Sequence, residues 1–214
     1  MRSILSIAAG LSLFFLLISN CCAFKFSDED EQDARDRAAR QQRVRQMTSI
    51  PCQKSIQGKK VAVIIGEKHS GGGLSVNQSN YGVLFEIINS RLRNVGLRTC
   101  TQEEITRQIA QAEIEAYMRN DPDAALSAAR RLGAQFIIRG LISSRSRVNP
   151  VLGINEVFVD MSFTLTQSSG RTIGGTRASG DSYAGSDTLS VAASIVEDQA
   201  DEVVAKLYYD FCTQ

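Results

Sequence analysis

The residues that could carry out chemistry are few and scattered. His69 is the single histidine among 214 residues, and it lies in a glycine-rich segment without a neighbouring aspartate. A serine or cysteine nucleophile needs a base beside it, and a zinc site needs several His, Cys or carboxylate ligands that converge. The spacing of these residue types meets neither requirement. We therefore expect no catalytic residue, no metal and no cofactor, and the sequence predicts a protein that is not an enzyme.

The glycine-rich segment has the position of a phosphate-binding loop, because it lies between an apolar run and a helical pattern. Such a loop ends in lysine followed by serine or threonine, but Gly72 and Gly73 occupy these two positions. The amine and the hydroxyl that bind phosphate and metal are therefore missing. We expect instead a surface loop that contacts a partner protein, with His69, Gly71, Gly72 and Gly73 as its contact residues.

A second polar connection, Arg145–Asn155, is the other predicted partner loop, and Arg145, Arg147 and Pro150 are its contact residues. The two arginines, together with Arg171, allow a small basic patch for lipid headgroups or glycan. The favoured interpretation is a solvated rim.

Hydrophobic periodicity predicts the elements that position these loops. Lys60–Gly66 is a β-branched apolar run, typical of a strand covered on both faces. Glu156–Gln167 alternates, as a half-exposed antiparallel strand does. Further strands are predicted over residues 97–100, 136–142 and 171–179, and helices over 81–95, 101–119, 122–132 and 188–211.

The order β-α-β-α-α-β-β-β-α predicts an α/β fold, a three-layer-like sandwich of a mixed five-stranded sheet with helices. Its first three strands are parallel and its last three form a meander. A turn centred near Pro150 would then place Arg139 opposite Asp160 as a cross-strand ion pair.

The amino terminus predicts export. Arg2, the apolar run Ile4–Ile18 and the small residues before Phe24 have the layout of a secretory signal peptide. Cleavage before Phe24 is favoured. An uncleaved anchor and lipidation of Cys21 are the alternatives, and the lipobox-like segment before Cys21 departs from the pattern only at Asn20.

The expected organisation is a signal peptide (1–23), a charged tether (24–57) and a single α/β domain (58–214). Residues 27–46 contain almost no apolar side chain, so the tether is expected to be solvated, as a loose helix, rather than an arm that contacts a partner. Removal of Arg2 with the leader leaves 23 basic and 23 acidic residues. A neutral chain has no electrostatic basis for binding nucleic acid.

Three cysteines follow the leader, and they can pair in an oxidising compartment. The predicted topology returns the last helix to the end of the sheet where the chain enters, which brings Cys212 near Cys52. It places Cys100 at the other end. We therefore expect a Cys52–Cys212 disulfide, and three unpaired thiols are the alternative.

The segment from Lys59 to Phe211 resembles the domain shared by the curli secretion channel subunit and the lipoprotein activator of penicillin-binding proteins. The amino-terminal domain of the Tol-Pal translocation protein is built alike. The most specific phrase is Gly133–Gly140, GAQFIIRG. Channel subunits insert long hairpins as transmembrane strands, whereas Arg145–Asn155 and Ser168–Gly170 are too short for this.

The resemblance implies a non-enzymatic periplasmic protein, or alternatively an outer-membrane lipoprotein, that binds another envelope protein. It would act as an accessory or regulator of a cell-envelope assembly or secretion machine, and would meet the membrane only through a lipid anchor. The alternative is a homo-oligomeric ring subunit of a secretion or flagellar apparatus.

Overall fold

The computed structural model describes residues 26–52, 58–69, 74–75, 82–119 and 121–213. The predicted leader, with Cys21, lies outside these residues. By its contacts the chain divides into two units, residues 1–39 and 40–214. Helix α1 (Phe26–Thr48) is mostly polar, and its residues 31–39 are all exposed. The role of residues 24–57 as a charged tether stays a prediction.

A mixed sheet organises the second unit, as predicted. Its strands are β1 (Lys60–His69), β2 (Leu74–Ser75), β3 (Arg98–Thr99), β4 (Phe136–Val148), β5 (Asn155–Gln167) and β6 (Thr172–Ala184). The order is β2-β1-β4-β5-β6, and β3 pairs with the same edge of β1 as β2 does. Strands β3 and β4 run parallel to β1, and β4, β5 and β6 form an antiparallel meander. The short strand β2 was not predicted.

Within the described ranges the helices after α1 are α2 (Val83–Asn94), α3 (Gln102–Gln108), α4 (Gln111–Met118), α5 (Pro122–Leu132) and α6 (Thr188–Cys212). Thr101 and Glu104 form the predicted capping box at the start of α3. Asp121 caps α5, whose first residue is Pro122, and Gly133 ends it in the left-handed conformation. The single helix predicted over 101–119 is wrong, because the chain is extended at Ile109, between α3 and α4.

Two apolar cores lie on opposite faces of the sheet. Helices α2 and α6 cover one face, where alternate residues of β1 such as Val61 and Val63 are buried. Helices α3, α4 and α5 cover the other face only near Ala62, Ile64 and Ile137. Beyond these residues the outer face of β4, β5 and β6 is not part of either core.

Small residues on β6 let α6 approach the sheet closely. A Cβ atom at Gly174 would lie 2.2 Å from the Asp210 carboxylate of α6, and one at Gly180 would lie 2.8 Å from Ile195. Helix α6 therefore packs against the last strand at distances that larger side chains would prevent. This packing returns the chain to the end of the sheet where β1 begins.

The carboxyl end of α6 is joined to the segment before β1. Cys52 and Cys212 form a disulfide, the predicted pair, with an S–S distance of 2.06 Å. The Tyr208 hydroxyl donates to the carbonyl of Ile50, and Arg43 forms an ion pair with Glu202 at 2.7 Å. The chain from Arg43 to Cys52 is thus attached to α6 at three points.

Cys100 is unpaired for a different reason from the predicted one. Its amide donates to the Val61 carbonyl, so it lies at the same end of the sheet as Cys52 and not at the other end. Its side chain is buried in the core on the opposite face. The sheet itself separates the two sulfurs.

Candidate docking surface

Strands β4, β5 and β6 extend beyond the rest of the sheet. The pairing of β1 with β4 ends at His69 opposite Ser144. The pairing of β4 with β5 continues to Val148 opposite Asn155, which in turn lies opposite Ala184 of β6. A three-stranded ribbon therefore projects past β1 and carries the β4–β5 turn at its end.

Hydrogen bonds fix this turn. The Asn149 side chain accepts from the amides of Val151 and Leu152 at 3.0 and 3.1 Å, an Asx-type arrangement. The Gly153 amide donates to the Asn149 carbonyl at 2.9 Å, and Gly153 has a φ of 68°, which favours glycine. These hydrogen bonds stabilise the conformation of the turn.

Aliphatic side chains cover the end of this ribbon and are exposed. Relative exposures are 62% for Val148, 87% for Val151, 56% for Leu152 and 42% for Ile154. We call these four residues the apolar tip. Single exposed apolar residues are ordinary, whereas a contiguous group is typical of an interaction site. Tyr183, opposite Glu156 on β6, is also exposed and lies close behind the tip.

Paired charges lie directly behind the apolar tip. Arg147 forms an ion pair with Glu156 at 2.9 Å, and Arg145 approaches Asp160 at 3.7 Å. Both guanidinium groups also lie over the Phe158 ring, at 5.2 Å for Arg145 and 4.7 Å for Arg147. Because each arginine has a carboxylate partner, these two arginines form no bare basic patch.

The structure changes the bounds of the second predicted loop. Arg145 and Arg147 belong to β4 and not to a loop, because the pairing with β5 continues to Val148. Only residues 149–154 form the turn, and Pro150 is exposed within it. The role of these residues in contacting a partner stays a prediction.

The predicted ion pair between Arg139 and Asp160 is wrong. Arg139 lies opposite Thr164, and Asp160 lies opposite Ser143. The hairpin bends between Val151 and Leu152 instead of near Pro150, which changes the register of β4 against β5. In this register the Asp160 carboxylate lies near Arg145 and not near Arg139.

The first predicted loop is described only in part. His69 is the last residue of β1, and β2 pairs antiparallel with β1 so that Ser75 lies opposite Glu67. Gly71, Gly72 and Gly73 lie outside the described residues. The end of β1 and the ribbon lie at the same end of the sheet, so the structure brings His69 toward the side of Arg145 and Arg147.

Sequence reasoning missed the aliphatic residues of the tip and selected the charged ones instead. The signal was present, since Val148, Val151, Leu152 and Ile154 fall within seven consecutive residues of a predicted surface connection. Apolar residues in a turn have no core to join, so their exposure could have been expected.

Buried chemistry is sparse among the described residues. Burial raises the pKa of the Cys100 thiol to about 11, so that thiol is protonated at neutral pH and a poor nucleophile. No group of three or more His, Cys, Asp or Glu residues in the described ranges could hold a metal ion. No helix within those ranges is long and apolar enough to span a bilayer.

No protein-family model and no curated protein matches this sequence. Solved structures do match. The hypothetical protein CT253 from Chlamydia trachomatis is 12% identical with a TM-score of 0.49, covering 73% of this chain and all of that chain. The C-terminal domain of LpoB from Salmonella enterica is 15% identical with a TM-score of 0.35, covering 63% of this chain and 94% of the domain.

A PelC dodecamer from Paraburkholderia phytofirmans also matches, with 16% identity and a TM-score of 0.39, covering 68% of this chain and 87% of that chain. At these identities the similarity is one of chain fold.

Proposed function

We propose that this chain is a non-enzymatic, exported envelope protein that docks on another envelope protein as an accessory or regulator of an assembly or secretion machine. The apolar tip is the docking element. The observation that carries this proposal is a group of four exposed aliphatic side chains, three on a hydrogen-bonded turn and one at the end of the strand before it. A preorganised convex tip of this kind fits an apolar cleft in a partner and loses little conformational entropy on binding.

The disulfide supports export. Disulfides persist in oxidising compartments and are rare in the cytosol. The Cys52–Cys212 bond therefore agrees with the secretory layout of the first residues. If the full chain were recovered from the cytosol with Met1 attached and its thiols reduced, export would be excluded.

The neutral charge behind the tip favours a protein partner. A surface that binds anionic lipid presents unpaired Lys or Arg beside its apolar residues. Here the two arginines nearest the tip are paired with Glu156 and Asp160. The tip thus offers apolar contact without a local excess of positive charge.

Photocrosslinking in cells that express the full chain tests the docking role. A photoreactive amino acid at Leu152 is expected to give one discrete protein adduct in the envelope fraction, identified by mass spectrometry. The same probe at Tyr209, the exposed aromatic residue of α6, is the control and should not give that adduct.

Substitution of the tip provides the matched measurement. Val151→Ser together with Leu152→Ser removes apolar surface that the folded chain leaves exposed, so folding should be unchanged while binding to the crosslinked partner weakens at least about tenfold. Tyr209→Ser should leave that affinity unchanged. Equal affinities of the tip variant and the unsubstituted chain would exclude the tip as the docking element.

A further inference from the structure

Strand β6 forms an edge of the sheet. It has 13 residues and pairs with β5 on one side, and none of the described residues pairs with its other side. Natural proteins protect such edges with proline, lysine or short strands, because an unpaired edge is a template for another strand. β6 contains neither proline nor lysine. Its length therefore suits an edge that acquires a partner strand.

The residues of β6 are arranged symmetrically about Ser179. In an antiparallel pair of two β6 strands centred on this residue, Arg177 of each copy lies opposite Asp181 of the other. Both side chains belong to the outer face, because Ser162 and Phe158 of β5 lie opposite them in the pairing with β5. Residues directly opposite each other in an antiparallel pair have their Cβ atoms about 4.5–5.5 Å apart, within reach of an ion pair.

Among the described residues of one copy, neither charge has an ion-pair partner. Arg177 and Asp181 are both exposed, and neither forms an ion pair with any described residue. They are four positions apart on one strand, which separates them by about 13 Å. A second chain paired in this register would neutralise both of them at once.

The same register matches side-chain sizes. Tyr183, which is 53% exposed, would lie opposite Gly175 of the other copy. Gly175 has no side chain and would meet the Phe163 carbonyl at 2.7 Å if it had a Cβ atom, so its own chain cannot cover this stretch of backbone with a larger residue. An aromatic ring placed opposite an edge glycine stabilises such a position.

Other registers lack this match. Centring the pair on Ala178 would place Arg177 opposite Ser179, and centring it on Gly180 would place Arg177 opposite Tyr183. Centring it on Arg177 or on Asp181 would place like charges opposite each other, which is destabilising. The charges thus select one register among those near the middle of the strand.

We infer that β6 is a self-association edge, at which two copies of this chain pair antiparallel about a twofold axis through Ser179. The contact is isologous and therefore closes at two copies. It uses a surface separate from the apolar tip, and it places the two tips at opposite ends of one continuous sheet. This inference goes beyond the proposed function and does not depend on it.

Charge reversal tests the register. Sedimentation equilibrium of the mature chain, from micromolar to hundreds of micromolar, is expected to show a monomer–dimer equilibrium. Arg177→Asp creates two pairs of like charges and should weaken the dimer by about tenfold or more, as should Asp181→Arg. The double variant Arg177→Asp/Asp181→Arg restores both pairs with reversed sign and should recover the affinity of the unsubstituted chain.

Crosslinking locates the axis independently. Ser179→Cys should give a disulfide-linked dimer on oxidation, seen by electrophoresis without reductant. Ser169→Cys, at an exposed serine of the β5–β6 turn away from the axis, should not. A chain that stays monomeric throughout the concentration range, a dimer that both single reversals leave unchanged, or equal crosslinking at the two positions would overturn the inference. Each of these results leaves binding through the apolar tip untouched.

Discussion

At the scale of single residues, two glycines in the phrase Gly133–Gly140 have separate physical roles. Gly133 has a φ of 58° and ends α5 in the left-handed conformation. Gly140 lies in the middle of β4, where a Cβ atom would be 2.5 Å from the Phe163 ring and 2.9 Å from Ile65. The first glycine is required by the backbone and the second by the packing of the core.

Gly140→Ala is therefore expected to destabilise the fold by about 1–3 kcal/mol, because the Phe163 ring must move within a filled core. Gly185→Ala is the control, since nothing lies within 4 Å of the added atom, and it should change the free energy of unfolding by less than about 0.5 kcal/mol. Urea denaturation of both variants measures the difference. Equal stabilities would show that the core accommodates a methyl group at Gly140.

At the scale of elements, the amino end of α3 is fastened to β1. Glu104 accepts from the Thr101 amide as part of the capping box, and Lys60 of β1 donates to the same carboxylate at 2.8 Å. The hydrogen bond from Lys60 and that from the Thr101 backbone lower the pKa of Glu104 below its usual value of 4.5. The ionised carboxylate therefore favours the folded chain.

Stability from this contact should depend on pH. Because the folded pKa of Glu104 is lowered, the contribution is present above about pH 4.5 and is lost as the pH falls through the folded pKa. Glu104→Gln keeps a capping side chain but removes the charge. It should lower the free energy of unfolding at pH 7 by at most about 1 kcal/mol, since the pair is partly exposed.

The difference between Glu104→Gln and the unsubstituted chain should disappear in strong acid. Urea denaturation as a function of pH measures it. Glu103→Gln is the control, because this neighbouring carboxylate is mostly exposed and its ion pair with Arg107 lies within α3 itself. A Glu104 effect of the same size at every pH would mean that its charge does not contribute.

At the scale of the whole molecule, one covalent bond closes the second unit. The Cys52–Cys212 disulfide spans 160 positions and joins the segment before β1 to the end of α6. The loop that it closes contains every strand of the sheet. Such a bond restricts the unfolded chain strongly, and in the chain-entropy model a longer loop gives the larger effect.

Replacement of both cysteines, Cys52→Ser with Cys212→Ser, should lower the free energy of unfolding by about 2–5 kcal/mol. Equilibrium denaturation of the variant and of the oxidised unsubstituted chain measures this loss. A double variant as stable as the oxidised chain would contradict the expected role of the bond.

The thiol of Cys100 should react with alkylating reagents only after unfolding, because it is buried and burial keeps its pKa at about 11. Mass spectrometry of the alkylated double variant measures this reaction.

The sequence by itself determined the order of the elements, apart from β2 and the break between α3 and α4. These elements were marked by local signals in the sequence. The signals are the period-two alternation along β5, the apolar run of β1, the cap residues of α3 and α5, and the short connections of the meander. The pairing of Cys52 with Cys212 could be predicted because parallel strands and a returning helix leave few topologies. The break between α3 and α4 could not be predicted, because no glycine or proline marks it.

Tertiary structure alone decided the surfaces. The register of the β4–β5 hairpin depends on where the chain bends. Because the bend lies slightly beyond the predicted position, Asp160 pairs with Arg145 and not with Arg139. Three further features depend on how the helices and strands pack against one another. They are the exposure of Val151 and Leu152, the position of β6 at the edge of the sheet, and the separation of Cys100 from Cys52 by the sheet. Whether a residue is buried by another element depends on packing between segments that are distant in the sequence. Hydrophobic periodicity along the chain does not specify this packing.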